Sequence, residues 1–201
     1  MDRLRHLTLA LLLAIVALGC EEKPKADAPA RFAGVQKAAT AKAASFCDKS
    51  WSGGKGPAFA LPATRPLANE AARTVAKGWR WVNVWATWCR PCVEEMGLLG
   101  RWKDAFSRDG ADVAFELLSI DEEANQEALL KWRDKNLPGP IRWIKSEADF
   151  PPWLDTLEVD RAAAIPIHAL IDPAGKLRCV RVGAIHDQDY GAVRALISSA
   201  Q

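Results

Sequence analysis

Cys89 and Cys92, separated only by Arg90 and Pro91, are the residues of this sequence best suited to covalent chemistry. Two thiols at this spacing can close a disulfide, exchange it with another, or supply half of a zinc site. Tetrahedral zinc needs four ligands, and the sequence has no second Cys-x-x-Cys or Cys/His pair at ligand spacing, so no metal is expected. An inert disulfide and a redox-active one remain, and the flanking residues favour the second. Trp81 to Ala86 is an apolar, β-branched and aromatic run interrupted only by Asn83, the profile of a strand buried on both faces. Thr87 and Trp88 lead from it to the cysteines, beyond which Met96, Leu99, Trp102 and Phe106 recur at helical spacing. A helix therefore opens at the motif. With Cys89 at its entrance, the sulfur meets unpaired backbone N–H groups and the positive dipole end, which favour the thiolate, the nucleophile of disulfide exchange. Cys92 lies one turn deeper, placed to attack a mixed disulfide and release the product. Arg90 brings a cation beside the attacking sulfur, Pro91 fits the first turn and stiffens it, and Glu94 and Glu95 place negative charge early in the helix.

The remaining elements must hold that strand-to-helix junction. Asp109-Gly110 stops the helix, Val113 to Ile120 reads as a second buried strand, and Asp121 is suited to cap a following helix carrying Leu129, Leu130 and Trp132. That helix ends before Pro138-Gly139-Pro140. Strand-helix-strand order implies parallel pairing with right-handed crossovers. Ile141 to Ile144 is a short strand and Pro152 to Leu157 a short helix. Ile167 to Ile171 and Leu177 to Val182 flank the turn Asp172-Pro173-Ala174-Gly175 as an antiparallel hairpin, and a last helix from Asp187 to Ile197 buries Tyr190, Val193 and Leu196 or Ile197. Ahead of the catalytic strand, Phe32, Val35, Ala39, Ala43 and Phe46 fall on one helical face leading to Cys47, Ser52 to Pro57 is a Gly-rich turn, and Thr64 to Gly78 is a polar, alanine-rich connection. No internal repeat is visible.

Length and composition agree with one domain plus a leader: 201 residues, 49% apolar, with nine tryptophans. Lysine and arginine number 27 against 25 acidic residues, a net charge of +2, so nothing points to nucleic acid. Arg3, Arg5 and His6 precede the apolar run Leu7 to Leu18, which is shorter than a standard membrane span, so residues 1–20 read as a signal peptide. Its ending, Ala17-Leu18-Gly19-Cys20, resembles a bacterial lipobox in which the cysteine becomes the lipidated N-terminus, although Ala17 stands where a larger aliphatic residue is usual. An ordinary signal peptide cut elsewhere, or one retained as a short anchor, is the alternative. Residues 21–30, rich in charge, Pro, Ala and Lys, read as a flexible tether, residues 31–55 as an N-terminal helical extension, and residues 56–201 as the catalytic domain.

From Val82 to Cys92 the chain reads V-N-V-W-A-T-W-C-R-P-C, and here it resembles the thioredoxin superfamily, specifically the membrane-anchored TlpA/ResA-like branch of extracytoplasmic thiol-disulfide oxidoreductases. The likeness runs from about Gly56 to Ser199, with Ala58 to Pro62 similar to the opening segment of such domains. It implies an α/β thioredoxin-like fold, a mixed central sheet flanked by helices. Asn83 stands where cytoplasmic thioredoxins have a buried aspartate. Pro166 matches the family's cis-proline, packed against the active-site disulfide, with the backbone of Ile165 free to pair with an extended substrate. Ala164 occupies a position where the family often has Gly. Glu95 matches a glutamate that borders the active site and influences cysteine ionisation, while a solvated glutamate stabilising the dipole is the plain alternative. Gly97 replaces a proline that kinks this helix in the family. Trp88, which borders the motif, is assigned with Arg90, Pro91, Ile165 and Pro166 to the docking surface.

Cys47 and Cys179 are left over once Cys20 is given to lipid and Cys89 to Cys92. In an oxidising compartment they form a structural disulfide, or else stay free or pair between molecules. His168 is expected to pack or hydrogen bond; its functional version is Cu(I) binding with Cys89 and Cys92. The resulting expectation is an extracytoplasmic, membrane-anchored, monomeric enzyme without a cofactor. It reduces disulfides of protein partners such as apocytochrome c or copper and oxidase assembly proteins, and is re-reduced by an upstream membrane carrier. A Cu(I) chaperone on the same scaffold is the alternative. A peroxidase is disfavoured, since Thr87 stands alone two residues before Cys89, without the Pro/Thr cluster that such a cysteine follows.

Overall fold

The computed structural model describes residues 45–67 and 78–198. The signal peptide, the tether, Cys20, and the helical positions Phe32, Val35, Ala39 and Ala43 lie outside those residues. In chain order the elements are β1 (Lys49–Ser50), β2 (Thr64–Arg65), β3 (Trp79–Trp85), α1 (Arg90–Arg108), β4 (Val113–Ser119), α2 (Gln126–Arg133), β5 (Ile141–Ile144), α3 (Phe150–Thr156), β6 (Ile167–Ile171), β7 (Leu177–Val182) and α4 (Tyr190–Ser198). Short 3-10 turns precede α2, α3 and α4.

The strands form one seven-stranded mixed sheet in the order β1-β7-β6-β3-β4-β5-β2. β3 is parallel to β4 and antiparallel to β6, and every residue in it is buried. Its side chains alternate between two apolar layers. Trp81 and Trp85 face a layer that includes Leu99, Trp102 and Phe106 of α1, Leu129 of α2, and Val193 and Ile197 of α4. Val82 and Val84 face a second layer with Trp153 and Leu154 of α3. Burial of each such large side chain stabilises the fold by about 1.5–3 kcal/mol. Trp81 anchors the first layer, stacked on Phe115 and edge-on to Trp102 at centroid separations of 5.8 and 5.6 Å.

Several sequence expectations change. The catalytic strand starts two residues earlier than Trp81 and ends at Trp85. Residues 45–55 are not a purely helical appendage: Lys49 and Ser50 pair with Val180 and Cys179 as an edge strand. Leu177 N–H also donates to the Pro57 carbonyl at 3.0 Å, so this segment is stitched to β7. Thr64 and Arg65, expected in a connection, form the opposite edge strand against β5. α3 begins at Phe150, with Pro151 and Pro152 in its first turn. On α2 only Leu129 is fully buried, and on α4 Ala192 joins Val193, Leu196 and Ile197 while Tyr190 stays half-buried. Asp121 caps no helix, because its carboxylate is used elsewhere. Among the described residues no helix is long and apolar enough to cross a membrane.

Candidate active site

The parallel pair β3 and β4 ends at one edge of the sheet, and there the chain turns into α1. Cys89 is the N-cap residue of α1 in extended conformation, and its sulfur accepts the backbone N–H of Cys92 at 3.4 Å. Pro91 sits in the first turn, where its missing N–H costs nothing. Cys89 and Cys92 are joined as a disulfide, with Cα atoms 5.3 Å apart. Cys89 retains 5% exposure, whereas Cys92 has none. The asymmetry assigns access: an incoming sulfur can meet only the first cysteine.

The loop that delivers Cys89 is clamped from β4. Both oxygens of the Asp121 carboxylate accept the Thr87 backbone N–H, at 3.1 and 3.0 Å, and Oδ1 also accepts the Thr87 hydroxyl at 2.6 Å. The Ser119 hydroxyl donates to Oδ2 at 2.8 Å. Asp121 is thus the residue that sequence reasoning placed wrongly. Strand register could have found it: Trp85 pairs with Ser119 in parallel, so Thr87 and Asp121 leave the sheet side by side.

Across the cysteines lies the Ile165-Pro166 peptide, which is cis, and the Ile165 carbonyl oxygen lies 3.8 Å from the Cys89 sulfur. Trp88 is 60% exposed, the exposed large hydrophobic residue of the described chain. Arg90 is also exposed, but its guanidinium is bound to Glu94 at 2.7 Å. That hydrogen bond, with the Glu94 charge behind it, holds the guanidinium above its ordinary pKa. With Arg90 paired to Glu94, the helix end supplies positive polarity at the Cys89 sulfur. Glu94 points outward, and Glu95, expected early in the helix with the plain alternative of a solvated side chain, is buried.

Beneath the cysteines sits a buried polar cluster. Glu95 Oε1 accepts from Asn83 Nδ2 at 3.0 Å, and Oε2 accepts from the Ile185 backbone N–H at 3.1 Å. Asn83 and His168 are register partners on β3 and β6, with Asn83 Nδ2 3.3 Å from His168 Nδ1. The Trp81 indole N–H donates to the same nitrogen at 3.2 Å, and His168 Nε2 lies 3.4 Å from Glu95 Oε1. Both ring nitrogens of His168 thus face this cluster. Glu95 also borders a groove of about 400 Å³ between Pro91 and Leu98 on one side and Ala184 to Gln188 on the other. The buried Glu95 carboxyl group therefore opens onto that groove.

Away from the site, Cys47 and Cys179 form a second disulfide, joining residues 132 positions apart, and both sulfurs are packed in or against the Trp81 layer. It staples the segment before β1 to β7.

No family model matches the chain, and no curated protein does. Solved structures do. A thiol-disulfide isomerase from Corynebacterium glutamicum superposes with a TM-score of 0.52 at 18% identity, covering 72% of this chain and 97% of that one. A thioredoxin-related protein from Neisseria meningitidis serogroup B gives 0.49 at 21% identity over 65% and 90%. The thioredoxin domain of a thiol-disulfide oxidoreductase from Bacteroides vulgatus gives 0.46 at 19% over 60% and 80%. The Corynebacterium match carries the fold assignment.

Proposed function

We propose, from the premise that the chain has the thioredoxin fold, that it is a thiol-disulfide oxidoreductase acting on the cysteines of protein partners. The observation that supports this most is the placement of the Cys89–Cys92 bond at the N-terminus of α1, with Cys89 alone partly open and beside the exposed Trp88. In the reducing direction the Cys89 thiolate attacks a partner disulfide, and one partner sulfur leaves as a thiolate that takes a proton from water. Cys92 then attacks Cys89, the mixed disulfide breaks, and the second partner sulfur departs. The partner has gained two electrons, and Cys89 and Cys92 have lost them to a new S–S bond. Trp88, Pro91 and the Ile165-Pro166 backbone form the contact surface for the partner's extended chain, with Arg90 and Glu94 at its rim.

The leader sequence supports a location outside the cytoplasm, with the domain held at a membrane through a lipid on Cys20. The resemblance of Val82 to Cys92 supports reduction as the direction, with apocytochrome c or copper-assembly proteins as partners and a membrane carrier as the source of electrons. Redox equilibration against dithiothreitol and glutathione, read by mass-spectrometric thiol counting, tests the chemistry. The Cys89–Cys92 pair should open as a two-electron couple between about −270 and −120 mV, while Cys47–Cys179 stays closed. A Cys89–Cys92 bond that resists reduction below about −300 mV would mark it as structural and end the proposal.

A further inference from the structure

His168 is the buried group that the exchange described above leaves unused. Its ring is 2% exposed, and two donors converge on Nδ1: the Trp81 indole N–H, which can only donate, and the Asn83 amide. Nδ1 therefore presents a lone pair, and the ring hydrogen sits on Nε2. That nitrogen is buried, closes no aligned hydrogen bond, and lies 3.4 Å from Glu95 Oε1. The charged groups facing the ring are Glu95 from α1 and Arg181 from β7, its register partner, whose Nε is also buried without a hydrogen bond and whose Nη1 donates to the Phe46 carbonyl. β3 contributes only Trp81 and Asn83, which do not titrate. With Nδ1 taken by the Trp81 indole hydrogen, it is the Nε2 side of the ring that faces Glu95 as a donor.

We propose that His168 is a positioning residue for Glu95: its Nε2–H, aimed by Trp81 and Asn83, closes onto Oε1 whenever Glu95 carries the negative charge that must accept the Cys92 proton. This rests on the exchange reaction proposed above. In the resolving step the thiol hydrogen of Cys92 passes to the Glu95 carboxylate and the Cys92 sulfur bonds to Cys89. The Cys89–partner bond breaks, and the partner thiolate takes a proton from water. In the disulfide form Glu95 keeps that proton, with the Nε2 contact open at 3.4 Å, and it gives the proton back to the departing Cys92 sulfur when the bond is next opened. The Nε2–H contact opens as Glu95 becomes neutral and closes again when the charge returns, so the ring sets how readily the carboxylate gives the proton up.

Long-range ¹H–¹⁵N spectra of the ¹⁵N-histidine-labelled chain, in disulfide and dithiol forms, test the contact directly. The His168 ring should carry its hydrogen on Nε2, with that signal moving downfield on reduction and the movement lost in Glu95→Gln. A ring protonated on Nδ1, or an Nε2–H signal identical in both forms, overturns the proposal. Single-turnover release of a mixed disulfide formed on Cys89 gives the kinetic arm. Losing one donor to a charged group should move the pH profile of the Cys92 step in His168→Leu upward by about one unit, with release up to about tenfold slower on the rising limb of that profile. His168→Gln, which keeps a donor toward Glu95 and an acceptor for Trp81, should restore it. An unchanged profile in folded, active His168→Leu ends the positioning role alone, whereas absence of any exchange in the unaltered chain ends the proposed function with it. If His168→Leu fails to fold, the spectra of the unaltered chain decide.

Discussion

β3 carries two buried polar clusters, three residues apart and so on opposite faces of the sheet. On the α3 side, Arg80 grips Glu116 Oε1 through Nη2 and Nε at 2.6 and 2.8 Å, and Arg142 Nε takes Oε2 at 3.1 Å. Each carboxylate oxygen there is held by a permanent cation. On the α1 side, Glu95 has only neutral partners, Asn83 and the Ile185 N–H, and the donor beside it, His168 Nε2, is out of line. The first carboxylate cannot change its charge without orphaning two guanidinium groups. The second, one turn from Cys92, is held by neutral hydrogen bonds alone. Incomplete bonding at a buried carboxyl group is what sets Glu95 apart from the fully ion-paired Glu116.

Neutralising the paired site should have the largest effect on stability. Glu116→Gln leaves Arg80 and Arg142 without their counter-charge and should cost about 3–5 kcal/mol, with exchange per folded molecule unchanged; urea denaturation alongside a disulfide-reduction assay measures both. Removing the Cys47–Cys179 bridge by replacing both residues with Ala should follow, lowering stability by about 2–5 kcal/mol and again sparing the chemistry. Glu95→Gln should do the reverse. Exchange through Cys92 should slow by about 10²-fold and lose its dependence on the carboxylate, while the midpoint of urea denaturation shifts less than for Glu116→Gln. Trp88→Ala should raise the KM for a protein disulfide and change stability by no more than about 0.5 kcal/mol, since the ring is already exposed.

The smallest effect is expected at alkaline pH. Tyr190 donates its hydroxyl to Asp109 at 3.0 Å, and burial together with that bond raises its pKa to about 12 from 10.0. The native state then holds a proton that the unfolded chain has lost. The contribution is therefore full below pH 10 and declines as pH rises toward 12. Alkaline denaturation of Tyr190→Phe should lack that part of the decline.

The sequence made the reactive junction legible because it is local. The buried run ending at Trp85, the helical spacing of Met96, Leu99, Trp102 and Phe106, and the two cysteines between them all lie within a single stretch of chain. Asn83 stood out as a polar residue in an apolar strand. What it binds could not be read, because Asn83 meets His168 through antiparallel register, and slipping that register by one residue would send the histidine to the other face. Asp121 was misplaced for a chemical reason: an aspartate that follows a strand can serve a helix N-terminus or a neighbouring loop with the same two oxygens. Lys49–Ser50 and Thr64–Arg65 are two residues long and carry no period, so their pairing depends wholly on the strands they meet.

In the reduced protein Cys89 should be an ionised, accessible sulfur at the start of α1. Alkylation of the reduced protein with iodoacetamide, followed residue by residue across pH, measures it directly. Cys89 should react near neutral pH well ahead of Cys92 and faster than a free cysteine, whose thiol ionises at about 8.5. A Cys89 rate that follows the titration of a free cysteine, or one that Cys92 matches, would contradict it.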